Sequence, residues 1–226
     1  MSVIGSALPF FFASKAGGIV LPAIGASLQG GFFAGTISHT ANGVATHALI
    51  VAPAATGATG TGYTLTTNKE WKTSNTTTAG TTSTYDGAAN TAAMVTAGIA
   101  LHPAAQFCTG LSIGGYTDWY LPAYLEMDIA YYNLKPDTTS NNTSVGINAY
   151  SVPARGSNYT AGTPAQTTVT AFQTGNSEAF NTGNGHWSST EDSSTFAWEL
   201  SVTNGYQGQS QKANTRLVRA FRKLAL

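Results

Sequence analysis

Phe196–Ala197–Trp198–Glu199–Leu200–Ser201–Val202–Thr203–Asn204–Gly205 is the stretch on which the fold class turns. Phe196, Trp198, Leu200 and Val202 alternate with Ala197, Glu199, Ser201 and Thr203. That period of two marks a half-buried strand, because successive side chains point to opposite faces. Asn204–Gly205 is the strongest short hairpin signal a sequence offers. The return strand carries Gln207, Gln209 and Gln211 at alternate positions, and Thr215 to Arg222 reads as a last strand with Leu217, Arg219 and Phe221 on one face. An arginine at that parity enters the core only beside a carboxylate or backbone carbonyls.

Upstream of the hairpin the pattern changes to helices. Asp86 is placed to cap a helix over Ala88–Val95 that stops at Gly98, and Pro103 opens a second over Ala104–Cys108, ended by Gly110. Pro122 opens a third, with Leu121, Leu125, Ile129 and Tyr132 on one face, Glu126 and Asp128 turned to solvent, and Pro136 as the stop. Thr46–Val51 and Lys69–Lys72 read as strands, and Ala54–Gly62 as a loop. Residues 137–185 are too long for a plain connector, and loops of that length are usually functional or packed. Phe172, Phe180, Tyr150 and Tyr159 are the residues to pin this one to the body.

Composition narrows the class. Only 9% of the 226 residues are charged, with ten basic and ten acidic side chains, against about 25% in ordinary globular chains. Hydrophobic residues make up 42%, enough for a core. A near-neutral surface of Ser, Thr and Asn protects poorly against association, which suits a subunit of an assembly better than a free enzyme. Five of the ten basic residues (Lys212, Arg216, Arg219, Arg222 and Lys223) fall at the C-terminal end, but no basic stripe elsewhere supports nucleic-acid binding.

The segment 1–33 is apolar and Gly-rich, broken by Pro9, Lys15 and Pro22 and without a basic stretch ahead of Phe10–Phe12. It fits neither a membrane-spanning helix nor a secretory signal. An assembly or attachment arm is the preferred reading and a poorly processed hydrophobic leader the rival.

The chemistry-bearing residue types are scattered. Cys108 is the single cysteine, in an apolar helical setting that makes it a buried, inert thiol. His39, His47, His102 and His186 share no ligand spacing and read as packed or surface histidines. No nucleophile elbow, phosphate-binding loop, dinucleotide fingerprint or zinc-protease motif is present. Glu191 and Asp192 are adjacent, so in a strand they face opposite ways and make no glycosidase pair.

Two further stretches carry a resemblance. Gly114–Gly115–Tyr116–Thr117–Asp118–Trp119–Tyr120–Leu121–Pro122 and His186–Trp187–Ser188–Ser189–Thr190–Glu191, with Ala197–Trp198 and the close Val218–Arg219–Ala220–Phe221–Arg222, resemble the Lcl C-terminal domain family over roughly residues 30–224. Tyr120 stands where that family has Arg, and His186 where it has an aromatic residue. The resemblance implies an α+β, C-type-lectin-like domain over residues 34–226, with two or three short helices and a twisted antiparallel sheet, behind the arm of residues 1–33. The sugar-binding calcium motifs of animal lectins and the oxidase cysteines of formylglycine-generating relatives are missing, so neither a metal, a cofactor nor enzymatic activity is expected.

Together with Ala48–Val51, Ala104–Cys108 and Tyr131–Pro136, the arrangement resembles versions carried by tailed phages and their prophages. They imply a virion protein, a receptor-binding subunit of a tail fibre or baseplate that meets a host cell-surface glycan or protein. Other virion subunits would be its further partners. A homo-trimer or other homo-oligomer is expected, and neither nucleic acid nor membrane insertion. A structural virion protein is the alternative, and a bacterial surface adhesin the second. Within such a fold the hairpin is the displayed surface, with Glu199, Ser201, Thr203, Asn204, Tyr206, Gln207, Gln209 and Gln211 as contact residues. Parity favours Trp198 in the core, with the contact surface as its other reading.

Overall fold

The computed structural model describes residues 15–16, 19–60 and 67–226. Strands β1 (Lys15–Ala16) and β2 (Ile19–Val20) pair antiparallel. Next come β3 (Ser27–Leu28), β4 (Gly31–Ile37) and β5 (His47–Val51), then the short helix α1 (Ala54–Gly57) inside the stretch expected as loop. After β6 (Lys69–Glu70) come α2 (Gly87–Gly98), α3 (Pro103–Thr109) and α4 (Tyr124–Leu134). Strands β7 (Ser151–Val152), β8 (His186–Glu191), β9 (Phe196–Leu200), β10 (Gln207–Gln211), β11 (Thr215–Arg216) and β12 (Phe221–Ala225) complete the order. The architecture is mixed helix and sheet, with a curled antiparallel sheet and few short helices.

The main sheet runs β12-β5-β4-β3, with β7 added beside β4, and a second sheet runs β10-β9-β8. Of the apolar segment 1–33, residues 1–14, 17 and 18 lie outside the described residues, while residues 27–33 run in the main sheet and Phe33 is buried. Strand β5 divides the core: Leu49 and Val51 belong to one apolar cluster with Ile129, Leu134, Phe172 and Phe221. Ile50 and Ala52 belong to another with Trp71, Trp119, Trp187 and Val218. Apolar residues on both parities of β5 follow from its having core on both sides.

Local chemistry sets the helix ends. Asp86 Oδ1 accepts a hydrogen bond from Ala89 N at 3.0 Å, capping α2. Pro103 occupies the first turn of α3, where its missing N–H is no loss. Helix α4 begins at Tyr124, two residues beyond Pro122, because Glu126 Oε2 accepts from Ala123 N at 2.8 Å and closes the helix start there. Opposite α4, strand β4 bulges at Gly35, whose φ is +135°. A Cβ at Gly35 would fall 2.5 Å from Asn133 Nδ2, and that amide donates to Ala34 O at 2.8 Å. The bulge thus seats α4 on the sheet, and only glycine permits it.

The segment 137–185 is packed rather than structured. Beyond β7 it holds a single 3₁₀ turn at Thr170–Phe172, and Phe172, Phe180 and Tyr159 are buried in the first core cluster.

Glu126 and Asp128, expected at the solvent face of α4, are both fully buried. Helical periodicity registers apolar positions only, and here the polar stripe of α4 faces polar partners inside the protein. Glu126 accepts from Ala123 N, from Gly87 N at 3.1 Å and from Tyr120 Oη at 2.8 Å. Tyr120 supplies a neutral donor here. Burial pushes the Glu126 carboxyl up from 4.5 to about 7, against the pull of those donors.

A carboxyl raised in the folded state favours folding fully below its unfolded pKa. That contribution is lost as pH rises through the folded value. Glu126→Gln keeps the acceptor for both backbone amides and stays neutral at every pH. The variant therefore gains stability over wild type as pH rises from 4.5 through 7, by on the order of 3 kcal/mol at the upper end. Urea melts of both proteins at pH 4.5, 6 and 8 check this, and a difference that stays flat with pH would refute it.

Candidate functional site

The stretches Gly114–Pro122 and His186–Glu191 meet inside the protein. Ser189 N donates to Pro122 O at 2.7 Å, and Tyr120 and Phe221 exchange both backbone hydrogen bonds, at 2.8 and 3.0 Å. Trp71 Nε1 donates to Ser188 O and Trp187 Nε1 to Lys69 O, each at 2.8 Å. All six residues of β8 are buried. A strand fixed this firmly is a platform from which β9 and β10 stand out, with β10 at the sheet edge.

Cross-strand register sorts the hairpin differently from parity along one strand. Gln211 lies opposite Phe196, Gln209 opposite Trp198, and Gln207 opposite Leu200. Directly opposed residues share a face, so the glutamines line up with the aromatic residues and not with Glu199. Phe196 is 38% exposed and Trp198 half-buried, whereas Ala197, on the expected outer face, is buried. Tyr124, at the first turn of α4, stacks on Trp198 with ring centroids 4.9 Å apart and planes at 23°. The core reading of Trp198 is therefore half right. Helix α4 covers the Leu200 end of the face and stops short of Phe196, which leaves an open strip of Phe196, Trp198, Tyr124, Gln209 and Gln211.

The eight expected contact residues divide accordingly. Gln209, Gln211 and Tyr206 are exposed, and among the described residues their side chains make no hydrogen bond. Glu199 lies on the other face, ion-paired to Arg216, which also donates to Ser210 Oγ at 2.7 Å. Ser201, Thr203 and Asn204 are half-buried in a loop that spans Ser201 to Tyr206. Thr203 Oγ1 donates to Thr182 O at 3.2 Å, and Asn204 Oδ1 accepts from Tyr206 N at 3.1 Å. Of the Asn204–Gly205 pair Gly205 alone has positive φ, +74°, and a Cβ there would lie 2.4 Å from the Tyr131 ring. The turn is accordingly wider than the two-residue type the pair suggests, because the glycine serves packing against Tyr131 and Tyr159.

Gln207 has a different task. Its Nε2 donates to Asp128 Oδ1 at 3.0 Å. Asp128 also takes Asn148 Nδ2 at 2.6 Å, the Tyr159 hydroxyl and the Arg155 guanidinium, which sits 4.5 Å from the Tyr132 ring centroid. One buried carboxylate thus ties α4, the segment 137–185 and the root of β10 together. Sequence spacing carries no hint of it, since its partners lie 20 to 79 residues further along the chain, three in the segment 137–185 and one in β10.

The C-terminal cations are each matched to a different acid. Lys212 pairs with Glu191, Arg216 with Glu199, Arg219 with Glu178 at 3.1 Å, and Lys223 with Asp86 at 2.7 Å. Arg222 NH2 donates to Asp118 Oδ2 at 2.8 Å while its guanidinium lies 3.9 Å from the Tyr116 ring centroid. The expectation that Arg219 enters the core beside a carboxylate or backbone carbonyls holds, and it has both: besides Glu178, its Nε donates to Ala52 O at 2.6 Å. Each cation of the run thus has its own carboxylate partner.

Two of the four histidines come together. His39 and His47 lie 4.4 Å apart beside Asp86 and Lys223, and burial, then Lys223, holds His39 down to about 4. The same causes lower His47, so both rings are neutral at pH 7. Among the described residues no group of three or more His, Cys, Asp or Glu is arranged to hold a metal. Cys108 is buried, which raises its thiol pKa far above the usual range.

No family model and no curated protein matches the chain.

Proposed function

We propose that this chain is a receptor-binding subunit of a phage tail fibre or baseplate and that it engages the host surface through the β9–β10 hairpin. The observation that carries the reading is the strip of Phe196, Trp198 and Tyr124 beside Gln209 and Gln211, uncharged and open on an edge hairpin. Aromatic rings supply contact area at low conformational cost, and glutamine amides both donate and accept. Tyr206 extends the surface at the loop. The lectin-like fold and the phage association rest on the resemblance carried by Gly114–Pro122, His186–Glu191 and the C-terminal close. Many copies in one particle would turn weak single contacts into firm attachment.

The test uses Trp198→Ala combined with Gln209→Ala in the full chain. Binding of labelled protein to host cells should fall by about tenfold or more, as expected when the centre of a contact surface is truncated. Loss of the Trp198–Tyr124 stack should lower the melting temperature by a few degrees, so binding is read well below it on protein shown by circular dichroism to be folded. Unchanged cell binding sinks the attachment reading. Normal cell binding combined with failure to enter particles would favour the structural virion protein instead.

A further inference from the structure

An asparagine followed by glycine carries a reaction of its own. The backbone nitrogen of the glycine attacks the side-chain carbonyl carbon and closes a five-membered ring, and with no Cβ beside it that nitrogen is uncrowded. The chain has three such pairs, Asn42–Gly43, Asn184–Gly185 and Asn204–Gly205. The fold holds them differently. Gly205 N donates to Ser201 O at 2.7 Å, and Asn204 Oδ1 accepts from Tyr206 N, so both reacting groups are engaged elsewhere. Asn42 Oδ1 is taken by Ser38 Oγ and Val44 N, each at 3.0 Å.

At the third pair the two groups face each other. Gly185 N lies 2.9 Å from Asn184 Oδ1, and among the described residues it donates to nothing else. Reacting atoms about 3–3.5 Å apart define a near-attack arrangement, and a nitrogen this close to Oδ1 sits beside the carbon it attacks. The leaving group is loosely held, since Asn184 Nδ2 makes one long hydrogen bond, 3.4 Å to Thr215 O. Asn184 is half-buried, so water reaches it. Residue 185 is kept a glycine by its surroundings: a Cβ there would fall 2.8 Å from Glu199 Oε2.

We propose that Asn184–Gly185 is a site of self-modification, at which the folded protein turns Asn184 into aspartate or isoaspartate. Water or hydroxide takes the Gly185 N–H proton, a bond forms between that nitrogen and Asn184 Cγ, and the Cγ–Nδ2 bond breaks with loss of ammonia. Water then adds to either carbonyl of the succinimide and leaves a carboxylate on the side chain or on the main chain. The new charge arises close to Arg216, whose NH1 donates at 3.1 Å to the same Thr215 carbonyl that Asn184 Nδ2 approaches. Arg216 already pairs with Glu199 and holds Ser210 of β10. The modification therefore puts a second acid on one guanidinium at the root of the hairpin, whatever the hairpin binds.

The test incubates the full chain at pH 8, native and in urea, each with and without hydroxylamine, which cleaves a chain at a succinimide. Peptide mass spectrometry reads the three pairs. In the native chain, conversion at Asn184 should run about tenfold or more ahead of Asn42 and Asn204, and hydroxylamine should release residues 185–226. In urea the three rates should converge. Asn184→Gln, whose closure would need a six-membered ring, should lose the 185–226 fragment. The proposal is overturned if Asn184 stays intact in the native chain, if Asn42 or Asn204 converts first, or if the three pairs keep the same relative rates folded and unfolded.

Discussion

Lys212→Met lowers the free energy of unfolding by about 3–5 kcal/mol, the range for removing one partner of a buried ion pair. Lys212 and Glu191 have side chains 0% and 2% exposed. Besides Glu191, the Lys212 ammonium donates to Thr76 O at 2.9 Å and sits 4.8 Å from the Trp71 ring centroid. Glu191 accepts from Thr78 N at 3.0 Å and from Thr81 Oγ1 at 2.8 Å. Methionine matches the length of the lysine stem but removes the direct counter-ion, leaving the carboxylate with only the neighbouring Lys72, whose ammonium donates to Thr76 O at 3.0 Å. Urea denaturation at pH 7 measures the loss. The double variant Lys212→Met with Glu191→Leu should recover a large part of it, since an apolar replacement of a whole buried pair is often neutral. A double variant no more stable than the single one would mean that the hydrogen bonds to Thr78 and Thr81, not the charge, carry the energy.

Asp128→Ala produces the second large effect, a loss of about 3 kcal/mol or more, because Arg155 and several buried donors lose their shared acceptor. Its location distinguishes it from the first. Asp128 holds Arg155, Asn148 and Tyr159 of the long segment together with Gln207 of the hairpin. The segment 137–185 has almost no ladder hydrogen bonds of its own, so its protection comes from such ties and from Phe172 and Phe180. Limited proteolysis should cut this segment first in the variant, and amide exchange should rise there before it rises in β5. Uniform loss of protection over the whole chain would show Asp128 to be a global rather than a local fastener.

Much of the fold was legible because its punctuation is local. Asp86, Pro103, Gly110 and Pro136 announce helix ends through capping and φ restriction, which depend on neighbours in sequence. The hairpin was legible for the same reason. What escaped was whatever depends on register across chains of contact. The face on which Gln209 lies is decided by its pairing with Trp198, and no count along β10 contains that information. Glu126 and Asp128 escaped too, because a charged residue on an amphipathic helix reads as solvent-facing unless its buried partners are known. Most of those partners, among them Gly87, Asn148 and Tyr159, lie 20 to 39 residues away in sequence.

The alternation along β10 also separates inheritance from invention. Gln207 is bound by its hydrogen bond to Asp128, and Gly208 and Ser210 are held by the Tyr206 ring and Arg216. Gln209 and Gln211 owe nothing to the body among the described residues, and neither does the outer edge of Phe196. Lineages can therefore rewrite these positions while the scaffold stays the same, and a library randomised at 196, 209 and 211 should yield mostly folded proteins. The hairpin thus keeps its grammar on one set of positions and leaves its vocabulary open on the other.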